Sequence, residues 1–197
     1  YDPQITEDTN VHWKKHMNRY RHVWYKYTSP DIVYGHSFIS RFYIEIKDKT
    51  TAKPRFEKLK QFWDGRNIVI IEGEQSRLGI GNDLFDNAKS IKRILCPVEN
   101  AFDKYDKILD AAKKYASDNC LFILAVGPTA TVLSYDLFKA GYQALDVGHA
   151  DIEYEWFLAG ATKKQPVKNK YVNEAGRGKG ITESTDKDYL SQIICRI

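Results

Sequence analysis

The chain has 197 residues, a length that fits one domain or one domain with short additions. Its 43% hydrophobic content is sufficient for a packed core, and its 28% charged content is ordinary for a globular protein. A net charge of +4, with acidic and basic residues mixed along most of the chain, is too small to indicate a nucleic-acid partner, although it suits an anionic ligand.

Three cysteines, Cys96, Cys120 and Cys195, lie far apart in apolar runs and form no Cys-x-x-Cys pair. We therefore expect reduced core residues of a cytoplasmic protein. No apolar run approaches the ~18–20 residues that a membrane-spanning helix needs, and no signal peptide is visible, so any membrane association should be peripheral. The chain begins at Tyr1 rather than at a methionine, which is compatible with a fragment or a processed product.

Residues 1–50 form a basic and aromatic segment that differs in composition from the rest of the chain. Aromatic, basic and histidine side chains alternate between His12 and Tyr25, a pattern that is compatible with stacking on bases or sugars. We favour a helix whose aromatic face packs on the body of the protein. His12 and His16 have the spacing of a shared metal site, but no nearby Glu completes it, so zinc is not predicted here.

Residues 51–197 are predicted to form the second unit, in which apolar runs alternate with helical patterns. The predicted elements are a helix over 54–63, a strand over 68–71, a short helix ending at 87, a strand over 91–96, a helix over 100–117, a strand over 121–126, a helix up to 139, a strand over 142–147 and, in a polar tail over 163–197, a short helix over 187–194. Fully apolar strands separated by helices are typical of a parallel sheet covered on both faces. We therefore predict a Rossmann-like, doubly wound α/β fold with a mainly parallel sheet.

Ligands of open α/β sheets bind at the carboxyl ends of the strands, and the unusual residues of this chain are concentrated in loops that follow predicted strands. The first such loop, residues 72–83, combines glycines with an arginine and several carboxylates. Glycines let a backbone approach a ligand, and Arg77 can bind phosphate oxygens through its forked guanidinium. The alternative is a structural loop in which Asn82 or Asp83 caps a helix. The loop matches neither a Walker A motif nor a dinucleotide-binding motif.

A second candidate lies at Gly127, Pro128 and Thr129, which open a helix directly after a strand. A helix N-terminus offers free N–H groups and a partial positive charge, so a diphosphate or a ribose hydroxyl could bind there. The alternative is that Thr129 only caps the helix. As a sequence pattern this loop is weak.

A third candidate is the acidic stretch that contains His149, Asp151, Glu153 and Glu155. These side chains are a plausible set of ligands for a hard divalent metal such as Mn²⁺ or Mg²⁺. On a helix that begins near Asp151, Asp151 and Glu155 share a face, so one of them could serve as a general base. The alternative is an acidic first turn that the helix dipole favours.

At these residues the sequence resembles the GT-D-fold glycosyltransferase domain of bacterial clusters that build surface glycans and glycoproteins. The resemblance covers about residues 37–189. It is carried by the segments IEGEQSRLGIGNDLFDNAKSIKRILCP, NAFDKYDKIL, LAVGPTATVLSYDL and GYQALDVGHADIEYEWF, and more weakly by SFISRFYI.

The resemblance implies transfer of a hexose, typically glucose from UDP-glucose, to a hydroxyl of a glycan or glycoprotein, with a divalent metal (Mn²⁺ or Mg²⁺) as cofactor. It assigns the general base to Glu155 and a metal or diphosphate contact to His149, beside which Asp151 is a second candidate metal ligand. The expected donor-binding residues are Arg41, Glu74, Ser76, Arg77, Gly81, Asn82, Asp83, Gly127, Pro128 and Thr129. No nucleic-acid partner is expected, and a homo-oligomer is possible.

The sequence departs from the family at one point. Relatives carry an acidic motif of the Asp-x-Glu type, implicated in metal binding, at the end of an N-terminal strand, and residues 1–53 contain no match to it. Residues 151–153 have this spacing but belong to another segment. This departure supports an alternative function, a non-catalytic nucleotide- or glycan-binding module of a glycosylation complex. A Rossmann-like methyltransferase is a weaker third alternative.

Overall fold

A computed structural model describes residues 4–34, 39–117 and 119–197 of the chain. Its helices and strands are, in chain order, α1 (Glu7–Tyr27), α2 (Ala52–Lys60), β1 (Asn67–Gly73), β2 (Ser90–Cys96), α3 (Tyr105–Tyr115), β3 (Leu121–Ala125), α4 (Thr129–Lys139), β4 (Gln143–Asp146), α5 (Ala150–Leu158), α6 (Lys187–Gln192) and β5 (Ile193–Arg196). Residues 1–3, 37 and 38, which belong to segments interpreted above, lie outside the described residues. No described helix combines the length and the apolar character that crossing a membrane requires.

The five strands form one sheet in the order β4-β3-β1-β2-β5, and every pair of neighbours is parallel. β1 lies in the middle because its residues are buried on both faces. Ile68 and Ile70 point into a core with α2 and α5, whereas Val69 and Ile71 point into a second core with α3 and α4. The predicted Rossmann-like, doubly wound α/β fold with helices on both faces of the sheet is confirmed.

The predicted short helix ending at residue 87 is wrong. Residues 74–89 join β1 to β2 through successive turns, and β1 and β2 are neighbours in the sheet. Gly79 and Gly81 have φ angles of +74° and +83°, a left-handed conformation that interrupts a helix. The loop is held from inside by Leu84, which is fully buried and whose carbonyl accepts a hydrogen bond from Trp63 Nε1 at 2.9 Å.

The fifth strand was not predicted. The expected helix over 187–194 ends at Gln192, and β5 then pairs with β2 at the edge of the sheet. Its position is fixed by Arg93, which is 1% exposed and whose Nε donates to Gln192 Oε1 at 2.7 Å. Arg93 also pairs with the buried Glu72 of β1 at 2.6 Å, so this one side chain of β2 links β1 to the end of α6, directly before β5.

The N-terminal segment is helical, as expected, but its aromatic face does not pack on the body within the described residues. Only Thr9 and Asn10 of α1 are buried, and beyond them every residue of the helix is exposed or partly exposed. The connection to the body is made at the start of the helix, where Thr6 N–H donates to Glu45 O at 2.9 Å. The predicted boundary near residue 50 stays a prediction.

All three cysteines are free, and Cys96 and Cys120 are buried, in agreement with the expectation of reduced core residues. Burial, together with the nearby charge of Glu72, raises the pKa of the Cys96 thiol to about 12, so this side chain is not a reactive thiolate at neutral pH. Cys195 is partly exposed in the edge strand β5.

Candidate functional site

A cavity of about 790 Å³ lies at the carboxyl ends of β1, β2, β3 and β4. It occupies the position where chain connections diverge to the two sides of the sheet, because β1 leads to β2 on one side and β3 leads to β4 on the other. Crevices at such switch points are the usual ligand sites of this architecture. Six of the predicted site residues line it, namely Ser76, Gly127, Pro128, Thr129, His149 and Asp151.

The wall formed by β3 and α4 presents a helix N-terminus to the cavity. Gly127 has a φ of +59°, which turns the chain sharply from the strand into the helix. Thr129 begins α4 and is 4% exposed, and its neighbours Gly127 and Pro128 line the same wall. The first N–H groups of a helix have no partner within the helix, so this wall suits an anion.

The opposite wall comes from the C-terminal tail, residues 163–197, which the sequence analysis did not connect with the site. Tyr171, Asn173 and Arg177 line the cavity. The Tyr171 hydroxyl donates to Glu99 Oε1 at 3.0 Å, which closes the tail onto the loop after β2. Nothing in the local pattern of the tail signals this role, since the contact depends on how the tail folds back over the sheet.

Arg77 holds the tail in place and does not line the cavity. Its guanidinium donates to the carbonyl oxygens of Asn169 at 3.1 Å and Thr182 at 2.6 Å, and the residue is 8% exposed. A φ of +52° turns its side chain towards the tail. The cation that faces the cavity is Arg177, so the expected phosphate contact by Arg77 does not agree with this arrangement.

Five other predicted donor contacts also lie outside the cavity lining, and one of them, Arg41, contacts His149 at its edge. Glu74 pairs with Arg196 of β5 on the exposed side of the sheet edge. Asp83 pairs with Lys60 at 2.7 Å and accepts from the Tyr154 hydroxyl at 2.6 Å. Gly81 lies in the β1–β2 loop outside the lining, and Asn82 contacts the carboxylates of α5 instead.

A buried lysine, which the sequence analysis missed, joins the two carboxylates on the shared face of α5. Lys170 Nζ lies 2.8 Å from Asp151 Oδ2 and 2.7 Å from Glu155 Oε1, and its side chain is 4% exposed. Asn82 Nδ2 bridges the same carboxylates at 2.9 and 2.7 Å, and Gly79 N–H donates to Asp151 Oδ1 at 2.8 Å. The prediction that Asp151 and Glu155 share a helix face is confirmed. Of the two, only Asp151 lines the cavity.

His149 lies at the edge of the cavity between two charged residues. Its Nε2 is 2.8 Å from Glu174 Oε2, and Arg41 approaches its Nδ1 at 3.2 Å. Because a guanidinium only donates hydrogen bonds, Nδ1 accepts and Nε2 donates to Glu174. Burial would raise the pKa of Glu174, but hydrogen bonds from His149 and Arg41, together with the charge of Arg41, outweigh it and hold that pKa well below its usual range.

The residues nominated as metal ligands do not fit a metal site in this arrangement. Both oxygens of Asp151 accept hydrogen bonds, one of them from a lysine, and both ring nitrogens of His149 have partners. Within the described parts of the chain, no group of three or more His, Cys, Asp or Glu side chains is placed to hold a metal ion. The divalent metal implied by the resemblance therefore stays a prediction, without ligands assigned here.

Glu153, the remaining carboxylate of the acidic stretch, points into the protein and away from the cavity. It is fully buried, and its Oε2 accepts the backbone N–H groups of Tyr43 and Ile44 at 2.9 Å each, while its Oε1 has no hydrogen-bond partner. Burial is the main reason that its pKa is raised, and the two N–H donors only reduce the effect. Glu153 thus anchors the segment before α2.

Comparison with known proteins assigns the chain to one family. The glycosyltransferase GT-D fold family matches residues 3–175, and the chain belongs to that family. The chain is 46% identical over 185 residues to glycosyltransferase GlyD of Streptococcus pneumoniae serotype 4. It is 44% identical over 198 residues to the probable glycosyl transferase Gly of Streptococcus gordonii. The alignments cover 94% and 96% of the chain but only 22% and 28% of these relatives, so the chain spans about a quarter of their length.

Solved structures share the same fold. One, described as a highly conserved domain of unknown function with a distinct glycosyltransferase fold, has a TM-score of 0.93 and 43% identity, with 98% of this chain and 69% of that chain covered. Another, described as a new glycosyltransferase from Streptococcus sanguinis, has a TM-score of 0.91 and 42% identity, with 98% and 72% covered. The prediction of family and fold from the quoted segments is confirmed.

Proposed function

We propose that the cavity binds a UDP-sugar and that the protein transfers its hexose, glucose in the first instance, to a hydroxyl of a glycan or glycoprotein. The observation that supports this most directly is a cavity at the switch point of the sheet in a chain of the GT-D fold family. Its volume of about 790 Å³ lies within the range of roughly 300–1,000 Å³ that is typical of ligand sites.

The diphosphate of the donor is proposed to lie between the N-terminus of α4 and Arg177. The first N–H groups of the helix supply hydrogen bonds and a partial positive charge, and Arg177 supplies a full charge from the wall formed by the tail. These groups also suit the leaving diphosphate, on which negative charge accumulates during transfer. Phe102, which is 57% exposed and lines the cavity, offers a flat apolar face for the uracil base.

The acceptor hydroxyl requires a base, and the resemblance assigns this role to Glu155. Glu155 lies one helical turn beyond Asp151 and its side chain is 20% exposed. If Glu155 is the base, Glu155→Gln should lower transfer by about 10²–10⁴-fold while UDP affinity is unchanged. Wild-type transfer by this variant would remove Glu155 from the reaction.

A non-catalytic nucleotide- or glycan-binding module is the second candidate, and one observation favours it. Oε1 of Glu155 already accepts hydrogen bonds from Asn82 and Lys170, and Glu155 is not among the residues that line the cavity. An oxygen that already accepts two hydrogen bonds within the protein has less capacity left to take the proton of an acceptor hydroxyl. Such a module would bind UDP without turning over UDP-glucose.

The experiment that tests the donor site is calorimetric titration of the chain with UDP, followed by an assay of UDP-glucose hydrolysis and transfer. Arg177→Gln should weaken UDP binding about 10–100-fold, because a hydrogen bond to a charged group contributes about 1.5–3 kcal/mol. Lys179→Gln is the matched control, since it removes the same charge from an exposed position two residues away. Absence of UDP binding, or equal effects of the two substitutions, would refute the proposed site. UDP binding without turnover would favour the module.

A further inference from the structure

The outer part of α1 is an unusual surface. From Val11 to Tyr27 no residue is buried, although α1 carries seven large apolar or aromatic side chains that are exposed. These are Val11, Met17, Tyr20, Val23, Trp24, Tyr25 and Tyr27. Tyr25 and Tyr27 are 78% and 71% exposed, and the following turn adds Val33 at 98%. So much apolar surface on a protruding element indicates that something covers it.

Most of the large apolar and aromatic side chains of this helix lie on one face. At about 100° per residue, the large side chains at positions 13, 17, 20, 24 and 27 fall on one arc of about 80°. Their types are tryptophan, tyrosine and methionine, and no charged residue lies within this arc. The stripe is therefore continuous along about four turns of the helix.

The rest of the surface of α1 carries basic side chains, together with Val11, Val23 and Tyr25. Between Val11 and Tyr27 the helix has five lysines and arginines and no acidic residue. These cations are Lys14, Lys15, Arg19, Arg21 and Lys26. Helical geometry places them on both flanks of the aromatic stripe. A second copy of the helix packed against the stripe would bring like charges together, which disfavours a dimer through this surface.

We propose that α1 binds an anionic lipid surface, with its aromatic stripe in the headgroup region and its lysines and arginines on the lipid phosphates. Helices that lie in a membrane interface combine a basic polar face with Trp-containing apolar faces, which is the arrangement found here. Tryptophan and tyrosine are suited to the headgroup level because their rings are partly apolar and partly polar. The membrane is thus contacted by a helix on the surface, without any spanning segment.

The position of α1 connects this surface to the candidate site. Thr9, in the first turns of the helix, donates a hydrogen bond to Glu45, and Glu45 lies 3.8 Å from Arg41. Arg41 in turn contacts His149 at the edge of the cavity. A helix held on a membrane would therefore keep the cavity close to the lipid surface, where a membrane-bound acceptor would be found. The membrane proposal itself does not depend on the proposed reaction.

The test is sedimentation of the chain with vesicles of phosphatidylcholine alone or with an equal part of phosphatidylglycerol. Binding is expected only to the anionic vesicles and should weaken as salt is added. One basic side chain near an anionic surface contributes about fivefold. The triple substitution Lys14→Gln, Lys15→Gln and Arg19→Gln should therefore weaken binding about a hundredfold. The control Lys107→Gln, Lys113→Gln and Lys139→Gln makes the same change of charge at exposed positions of α3 and α4.

A second pair of variants tests the aromatic stripe. Tyr20→Ser with Trp24→Ser should also weaken vesicle binding, whereas Phe62→Ser with Phe138→Ser, two exposed aromatics elsewhere, should not. Circular dichroism confirms that each variant is folded. The proposal is overturned if anionic vesicles do not bind the wild-type chain, or if helix and control variants bind alike. It is also overturned if sedimentation velocity shows a dimer that the helix variants abolish, because the stripe would then be covered by a second copy. UDP binding is measured separately and tests the proposed donor site, so failure of the membrane proposal can be distinguished from failure of the proposed function.

Discussion

Lys170 is the residue whose removal should cost most stability around the candidate site. It is the buried cation shared by Asp151 and Glu155, and its side chain is only 4% exposed. Lys170→Met leaves two carboxylates close together in a mostly buried environment, so we expect the free energy of unfolding to fall by about 3 kcal/mol. Urea denaturation at neutral pH measures this change.

The control for this prediction is Lys168→Met, an exposed lysine of the same segment, which should change stability by less than about 0.5 kcal/mol. Adding Glu155→Gln to Lys170→Met should recover part of the loss, because it removes one of the uncompensated charges. Equal stability of Lys170→Met and Lys168→Met would show that the ion pairs of Lys170 with Asp151 and Glu155 do not stabilise the fold.

Glu153 should make stability depend on pH. Burial raises the pKa of this carboxyl above its ordinary value of 4.5, so the folded state holds its proton more tightly than the unfolded state does. Its contribution is fully present below that ordinary value and is lost as pH rises through the raised folded pKa. Glu153→Gln, which cannot ionise, should lose less stability between pH ~5 and pH ~8 than the wild-type protein does.

The measurement for Glu153 is urea unfolding of both proteins at the two ends of that pH range. Other carboxyls with shifted pKa values are common to both proteins, so the difference between the two pH profiles isolates this residue. Glu57→Gln, an exposed change on α2, should give the wild-type profile. Parallel profiles for the wild type and Glu153→Gln would contradict the prediction.

At single positions, the sequence predicted residue types better than residue roles. It indicated that Asp151 and Glu155 share a helix face, but not that Lys170, in the distant tail, neutralises them. It indicated an arginine at the cavity, but selected Arg77 because that residue follows a strand, whereas the cavity is lined by Arg177. Both differences have one cause, since partners from the tail are set by tertiary contacts that no local pattern carries, and the phosphate contact by Arg77 stays a prediction.

Among the elements, the C-terminal tail should be held over the cavity by its hydrogen bonds to Arg77. Arg77 binds the carbonyl oxygens of Asn169 and Thr182, on either side of the cavity-lining residues Tyr171 and Arg177. Arg77→Ala should therefore increase hydrogen exchange over residues 169–182 and weaken UDP binding indirectly. Arg177→Gln should weaken UDP binding without changing the exchange.

Mass spectrometry of hydrogen exchange, with and without UDP, separates these two effects. Arg66→Ala is a suitable control, because the guanidinium of this partly exposed arginine donates to the nearby Phe62 carbonyl and lies at the opposite end of β1 from the cavity. If Arg77→Ala weakens UDP binding while the tail remains protected, Arg77 contacts the ligand directly, as the sequence first indicated.

The elements themselves were predictable where their patterns were long and regular. The strands at 68–71, 91–96 and 121–126 and the helix between the last two follow from fully apolar runs and from helical spacing. β5 was missed because its four residues continue a helical pattern, and only pairing with β2 makes them a strand. The β1–β2 loop was taken for a helix because its apolar residues Leu84 and Phe85 are buried by tertiary contact.

For the whole molecule, the sheet and its switch point follow from the order of strands and helices alone. The cavity does not, because two of its walls come from the loop after β2 and from the tail, which meet through the hydrogen bond between Tyr171 and Glu99. The placement of α1 could not be predicted at this scale either. Its amphipathic pattern indicated packing on the body, but the same pattern suits any apolar surface.

UDP binding by the whole chain should not require a divalent metal. The groups proposed to hold the diphosphate are the N-terminus of α4 and Arg177, and the described residues place no cluster of metal ligands beside them. We therefore expect UDP to raise the thermal midpoint in EDTA as much as with Mn²⁺ present. At a hundredfold excess over its Kd, UDP should stabilise the fold by about 2.7 kcal/mol, which shifts the midpoint by roughly 5–11 °C. A shift that disappears in EDTA would show that a metal takes part in donor binding. Its ligands would then be residues other than His149 and Asp151, whose side chains already have hydrogen-bond partners. Arg177→Gln in the same assay should abolish most of the shift, which would assign it to the cavity.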